Sequence, residues 1–169
     1  MSNTSKNIPS EQVDQVLSIA AAEVGTVEKP TNKTKYGKWY GMDGQPWCAM
    51  FVSWCFNQAG LTKLIKQTPK GFAGVEAFEA WARTKKLIIP GNSMVRAGDI
   101  VLFDFTKSGK AQHVGIALGG QDPHTHLVPT IEGNTSPSSK GSQANGEGVY
   151  EKYRALSTIR CVVRPKYEG

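Results

Sequence analysis

Apolar residues at Val13, Val16, Leu17, Ala20, Ala21 and Val24 recur with helical spacing, and Gly25 follows them. Ser10, between Pro9 and Glu11, is placed to cap the start. A helix is therefore expected from Ser10, with residues 1–9 as a flexible polar arm and 10–169 as one domain. A second stripe, Cys48, Phe51, Val52, Cys55, Phe56 and Ala59, stops at Gly60, which suits the position just past a helix end. Val75, Phe78 and Ala82 predict a third helix over about Val75 to Lys85, with Glu79 and Trp81 at the borders of its stripe. Between the first two helices, residues 26–47 read as a turn-rich aromatic loop. From Arg96 the pattern changes. Stretches at 98–105, 112–118, 127–132, 148–153 and 158–164 read as strands, and the Ser-, Gly-, Asn- and Lys-rich stretch 133–148 as a long loop. Helices first and strands after predict an α+β fold, the helices packed on an antiparallel sheet of about five to six strands.

With 169 residues the chain has room for one domain with a real core. Its 39% hydrophobic and 20% charged residues are ordinary for a globular protein. No apolar run approaches a membrane span, and the N-terminus lacks an apolar signal region, so neither a membrane anchor nor a leader is expected. The net charge of +6 suits an anionic partner, the acidic polymers of a Gram-positive wall among them, and equally a solvated basic surface; charge alone does not choose. The lysines are scattered along the chain and no nucleic-acid motif accompanies them, so nucleic acid is not expected. Cys48 and Cys55 are a helix rise of about 10 Å apart, too far to bridge. With Cys161 making an odd count, the three cysteines read as reduced thiols.

The chemistry begins at Cys48. It follows the turn Gly44-Gln45-Pro46 and falls in the first turn of the second helix, where unpaired N–H groups and the positive end of the dipole favour a thiolate. A base comes later, as His113 at the start of a strand. Glu132 closes the next strand, and Asn134 follows it. If those strands pair antiparallel, His113 and Glu132 become neighbours. Cys48 would then attack a carbonyl carbon, His113 would hold the ion pair and protonate the leaving amine, and Glu132 would fix the imidazole. Asn134 is a candidate to orient this network or the substrate. The Cys48 backbone N–H is the natural first oxyanion donor, with Gln45 and Tyr40 as candidates for the second. Tyr36, Trp39, Tyr40 and Trp47 either wall the substrate cleft or cover the helix end. Two other chemistries compete. His124 and His126 form a His-x-His pair that a zinc hydrolase could use, but no third ligand stands at a suitable spacing. Asp43 alone is a poor start for a calcium loop. A non-enzymatic binding module that works through its basic and aromatic surface is a further alternative.

Four ordered motifs, Pro46-Trp47-Cys48-Ala49-Met50-Phe51, Gly98-Asp99-Ile100-Val101-Leu102-Phe103, His113-Val114-Gly115-Ile116 and Ile131-Glu132-Gly133-Asn134-Thr135, resemble the CHAP family of cysteine, histidine-dependent amidohydrolases/peptidases. The resemblance runs from about Glu11 to Pro165. It implies a papain-like fold, and Cys48, His113, Glu132 and Asn134 as nucleophile, base, orienter and frequent fourth member. It also implies a peptidoglycan substrate, as in phage endolysins and bacterial wall hydrolases. The bond would be N-acetylmuramoyl–L-alanine or a peptide bond of the stem or cross-bridge. Substrate contacts would come from Tyr40, Gln45 and Trp47. The repeated Asp of some calcium-binding members is missing here, so no metal or cofactor is carried over. The expectation is a monomer made in a host cytoplasm and released to the wall by a holin-type partner. It would be either a single-domain enzyme or an excised catalytic domain.

Overall fold

The computed structural model describes residues 4–91 and 94–168. Among these, four α-helices come first: α1 (Thr4–Ala22), α2 (Lys35–Tyr40), α3 (Cys48–Gln58) and α4 (Val75–Thr84). Five strands follow: β1 (Ile100–Phe103), β2 (His113–Ala117), β3 (Leu127–Thr135), β4 (Gly148–Ala155) and β5 (Ile159–Val163). They form one antiparallel sheet in the order β4-β3-β2-β1-β5. The architecture is α+β.

Helix α3 is the centre of the molecule. It lies on β2 and β3 and is covered in turn by α1 and α2. Residues Cys48 to Ser53, with Cys55 and Phe56, are all buried. A helix enclosed this way is apolar nearly all round, which is what its sequence shows. Each fully buried Phe or Val contributes about 1.5–3 kcal/mol to stability. The one buried hydroxyl, on Ser53, is satisfied: it donates to the Phe72 carbonyl at 2.7 Å and accepts from the Phe72 N–H at 2.9 Å. The seating of α3 on β3 depends on Gly133. A Cβ there would stand 2.7 Å from Phe51 Cβ and 2.8 Å from Trp47 Cζ3, so any side chain would push the helix off the sheet.

Three local expectations need correcting. The first helix starts at Thr4, so Ser10 is inside it and not its cap. Residues 4–9, expected as an arm, are helical, and residues 1–3 lie outside the described residues. That helix also ends at Ala22, which leaves Val24 44% exposed instead of on the buried stripe. The aromatic stretch contains α2, capped by the Thr34 hydroxyl, which accepts from the Gly37 N–H at 3.1 Å. Six residues are too few to show a helical period. Finally, β3 runs on to Thr135, past the Glu132 expected to close it. Its pairing with β4 is irregular between Glu132 and Thr135, and Asn134 there adopts a left-handed φ of 56°. Such bulges bend a strand and re-aim its side chains.

Candidate active site

Cys48 stands in the first turn of α3. The residue before it, Trp47, makes no capping hydrogen bond, so the first-turn N–H groups of this helix are without a side-chain cap. Cys48 retains 7% exposure, whereas Cys55 on the same helix has none.

The sheet brings His113 and Glu132 together. Strands β2 and β3 pair antiparallel with Ile116 opposite Ile131 and Ala117 opposite Thr130. Continuing that register sets Gly115 beside Glu132. The missing side chain at 115 leaves the space through which the carboxylate passes: a Cβ there would lie 2.5 Å from Glu132 Cγ. Glu132 Oε1 thereby reaches His113 Nε2 at 2.9 Å, with both side chains fully buried. The other ring nitrogen, Nδ1, is buried and makes no hydrogen bond among the described residues, which leaves it free to meet the Cys48 sulfur, close enough to act on the charge of the imidazole. Gly115→Ala is expected to cost about 1–3 kcal/mol of stability by overpacking. It should lower turnover further than the lost stability explains, because the carboxylate is displaced. Denaturant melts read beside turnover on the same sample check this.

The electrostatics follow from burial and partners. Burial by itself pushes the His113 pKa down, but the nearby Cys48 sulfur and the hydrogen bond and charge of Glu132 reverse this and raise it from 6.5 to about 9. Burial pushes Glu132 up, yet hydrogen bonds from Arg154 and His113, and their charges, bring it down from 4.5 to about 2. The pair therefore holds an imidazolium against a carboxylate across neutral pH.

Arg154 is the member of this candidate site that sequence reasoning missed. From β4 it donates through Nε to Glu132 Oε2 at 2.9 Å and through Nη2 to Glu132 Oε1 at 2.5 Å. Thr130 Oγ1 donates to Oε2 at 2.5 Å. The guanidinium lies 4.8 Å from the centre of the Phe105 ring, and its Nη1 donates to Gln143 Oε1 at 2.9 Å. A buried carboxylate held at two points by Arg is a strong, orientation-specific contact. The available signal was the period-two pair Lys152 and Arg154, two cations on one strand face, both buried. Lys152 Nζ donates to the Ser136 carbonyl at 2.7 Å, so the two cations also anchor the 136–147 loop.

The other sequence candidates are placed differently. Asn134 is buried, but its Nδ2 donates to Asn145 Oδ1 at 3.2 Å, and no hydrogen bond joins it to His113 or Glu132. Its left-handed backbone explains an Asn there, since Asn tolerates that conformation. Trp47, expected against the substrate, has no exposed surface and stacks on Tyr36 at 5.4 Å. A large ring at the helix start is more stable inside the core than in a cleft. Tyr40 is half-buried, with its hydroxyl 2.5 Å from Thr68 Oγ1, and Gln45 is exposed in the turn before Cys48. His124 and His126 sit on an exposed turn organised by Asp122, whose Oδ1 accepts from the His124 N–H at 2.7 Å. Among the described residues no three His, Cys, Asp or Glu side chains gather as a metal site.

The CHAP domain family profile matches residues 39–134. The chain belongs to the CHAP domain family. This is a family of peptidoglycan amidohydrolases and peptidases that rely on a cysteine and a histidine, and peptidoglycan is the substrate it implies. The matched segment contains Cys48, His113 and Glu132 and ends before Arg154, so the CHAP pattern itself gives no sign of the arginine. No curated protein matches this CHAP domain at a significant level. Among its described residues no helix is long and apolar enough to cross a membrane.

Proposed function

We propose that the protein is an endolysin-type peptidoglycan hydrolase, an N-acetylmuramoyl-L-alanine amidase working through Cys48, His113 and Glu132, with residues 10–169 as its catalytic domain. The observation that carries the reading is the fully buried hydrogen bond between His113 and Glu132, with the partly exposed Cys48 close enough to the imidazole to raise its pKa. The Cys48 thiolate attacks the lactyl carbonyl carbon, and the C=O electrons move onto oxygen. Uncapped N–H groups at the start of α3, beginning with that of Cys48, stabilise this oxyanion, and the exposed Gln45 amide is the nearest candidate in sequence for a second donor. The imidazolium of His113 then protonates the departing L-alanine nitrogen as the C–N bond breaks, leaving a thioester. Water attacks the thioester, His113 takes its proton, and the thiolate leaves. Glu132 holds the ring in place and balances its charge at each stage.

The alkaline limb follows from the same groups. The His113 pKa is raised, so the ion pair and the stability it contributes are complete below pH 6.5 and are lost as pH rises through about 9. Activity and melting temperature should both fall on the alkaline side near that value, as pH-rate profiles and thermal melts would show.

Mass spectrometry of sacculi after digestion tests the bond. New L-alanine amino termini freed from the lactyl group support the amidase. New termini within the stem or cross-bridge would make the enzyme an endopeptidase instead. Intact sacculi after prolonged incubation would remove the hydrolase reading.

A further inference from the structure

The fold gathers cations that the sequence scatters. A groove of about 430 Å³ is walled by Lys63, Lys66, Lys85 and Lys166 around Trp81, and no carboxylate lines it. Through Leu87 and Lys166 it adjoins a second groove of about 810 Å³, whose cations also include Lys86, Arg96 and Arg164 and whose acids are Asp14 and Asp99. The two grooves together hold seven of the 20 Lys and Arg but two of the 14 Asp and Glu, which leaves thirteen against twelve for the rest of the chain. Even with Glu168 at its rim counted against it, most of the +6 excess is therefore on this one face.

Some of these charges are already engaged. Arg164 holds Asp99 at 2.9 Å, and Lys63 lies 3.4 Å from Glu168 at the rim. Lys66, Lys85, Lys86 and Lys166 are exposed and make no ion pair among the described residues. Like charges held close together repel, and an external polyanion would relieve that repulsion. The face is also separate from the proposed chemistry. Arg164 directly follows β5 at one edge of the sheet, whereas His113 and Glu132 are on β2 and β3 toward the other. A polymer bound here would leave the cysteine open.

We propose that this face binds a linear phosphodiester-linked polyol polymer of the bacterial wall and so holds the enzyme beside its peptidoglycan. Lysines are flexible point charges suited to evenly spaced single anions. Trp81, half-buried and stacked on Phe78 at 5.6 Å, offers an apolar ring to the polyol carbons. A single-stranded nucleic acid calls for a series of aromatic faces to stack its bases, and the two grooves hold only Trp81 and Tyr167, the latter stacked on Phe56 with its hydroxyl donating to the Gly98 carbonyl. The choice of a wall polymer rests on the hydrolase reading; the gathering of charge does not.

The test titrates poly(glycerol phosphate) against the Cys48→Ala protein and against the same protein carrying Lys66→Ala, Lys85→Ala and Lys166→Ala, over a salt series. These three lysines are exposed, and circular dichroism checks that the fold is kept. Removing them is expected to weaken binding about tenfold or more and to reduce the slope of log K against log salt by about two. With Cys48 intact, the triple-lysine variant should cut polymer-free peptidoglycan as the parent does and polymer-bearing walls more slowly. Lysine-dependent polymer binding by a protein that cuts no peptidoglycan would uphold the groove while the hydrolase reading falls. Failure of poly(glycerol phosphate) to bind, equal binding by the triple-lysine variant, or preferred binding of single-stranded DNA or anionic vesicles would overturn the proposal.

Discussion

Cys48→Ser is expected to lower kcat/KM on peptidoglycan by about three to six orders of magnitude, as removing a nucleophile does in enzymes whose catalytic groups act as a unit. The substitution changes one atom and keeps the shape of the side chain, so α3 and its contacts with β2 and β3 should persist. A hydroxyl has far too little anionic character at neutral pH to replace a thiolate beside His113. Melting should therefore stay close to the parent while cleavage disappears, and pull-down of the variant on intact walls should be retained. That combination separates an enzyme from a wall-binding module. If the module reading held, Cys48→Ser would keep the full biological effect.

The second large effect is expected at Arg154. Its guanidinium holds both oxygens of Glu132, which is fully buried. Removing one partner of such a pair leaves an uncompensated buried charge and costs about 3–5 kcal/mol. Arg154→Met keeps much of the volume and should destabilise the fold by that order, as measured by denaturant unfolding at neutral pH. The pH dependence gives the more specific signature. Glu132's pKa is depressed, so the stability it supplies is present above 4.5 and is lost as pH falls toward about 2. The hydrogen bond from Arg154 is the largest influence lowering it. His113 from β2 and Lys152 from β4 are the other charged groups acting there, with Cys48 of α3 beyond the imidazole. Without Arg154 the carboxylate should take a proton at a higher pH, and the acid limb of activity should move up with it. Arg154→Lys, which keeps the charge but not the two-point geometry, should recover part of the loss. An unmoved acid limb in Arg154→Met would reduce the arginine to a structural role.

Which features could be read from the sequence follows from how local their causes are. The α3 stripe ended where Gly60 said it would because a long buried helix leaves a full period in the chain. The neighbourhood of His113 and Glu132 was legible because antiparallel pairing fixes which strand ends meet. Helix α2 was not, since six residues show no period. The extent of α1 was misjudged because a plausible cap at Ser10 hid a helix that continues before it. Trp47 was assigned to the cleft because an aromatic beside a nucleophile serves a cleft or a core equally well in sequence, and only the position of Gly133 against its ring decides. Arg154 was out of reach for a different reason. A strand with alternate cations does not say which face is inward, and the carboxylate that makes this arginine matter is 22 residues away. The basic grooves are likewise a property of the fold, assembled from α4, the segment after α3 and the C-terminal tail.

The central claim is that the Cys48 sulfur is the reacting atom. Brief treatment with limiting iodoacetamide, followed by peptide mapping and an assay of the same sample, tests it most directly. The account predicts a single early adduct on Cys48, with activity lost in proportion to it and Cys55 left unmodified. Full activity with Cys48 completely alkylated, or inactivation that follows modification of Cys161, would contradict it.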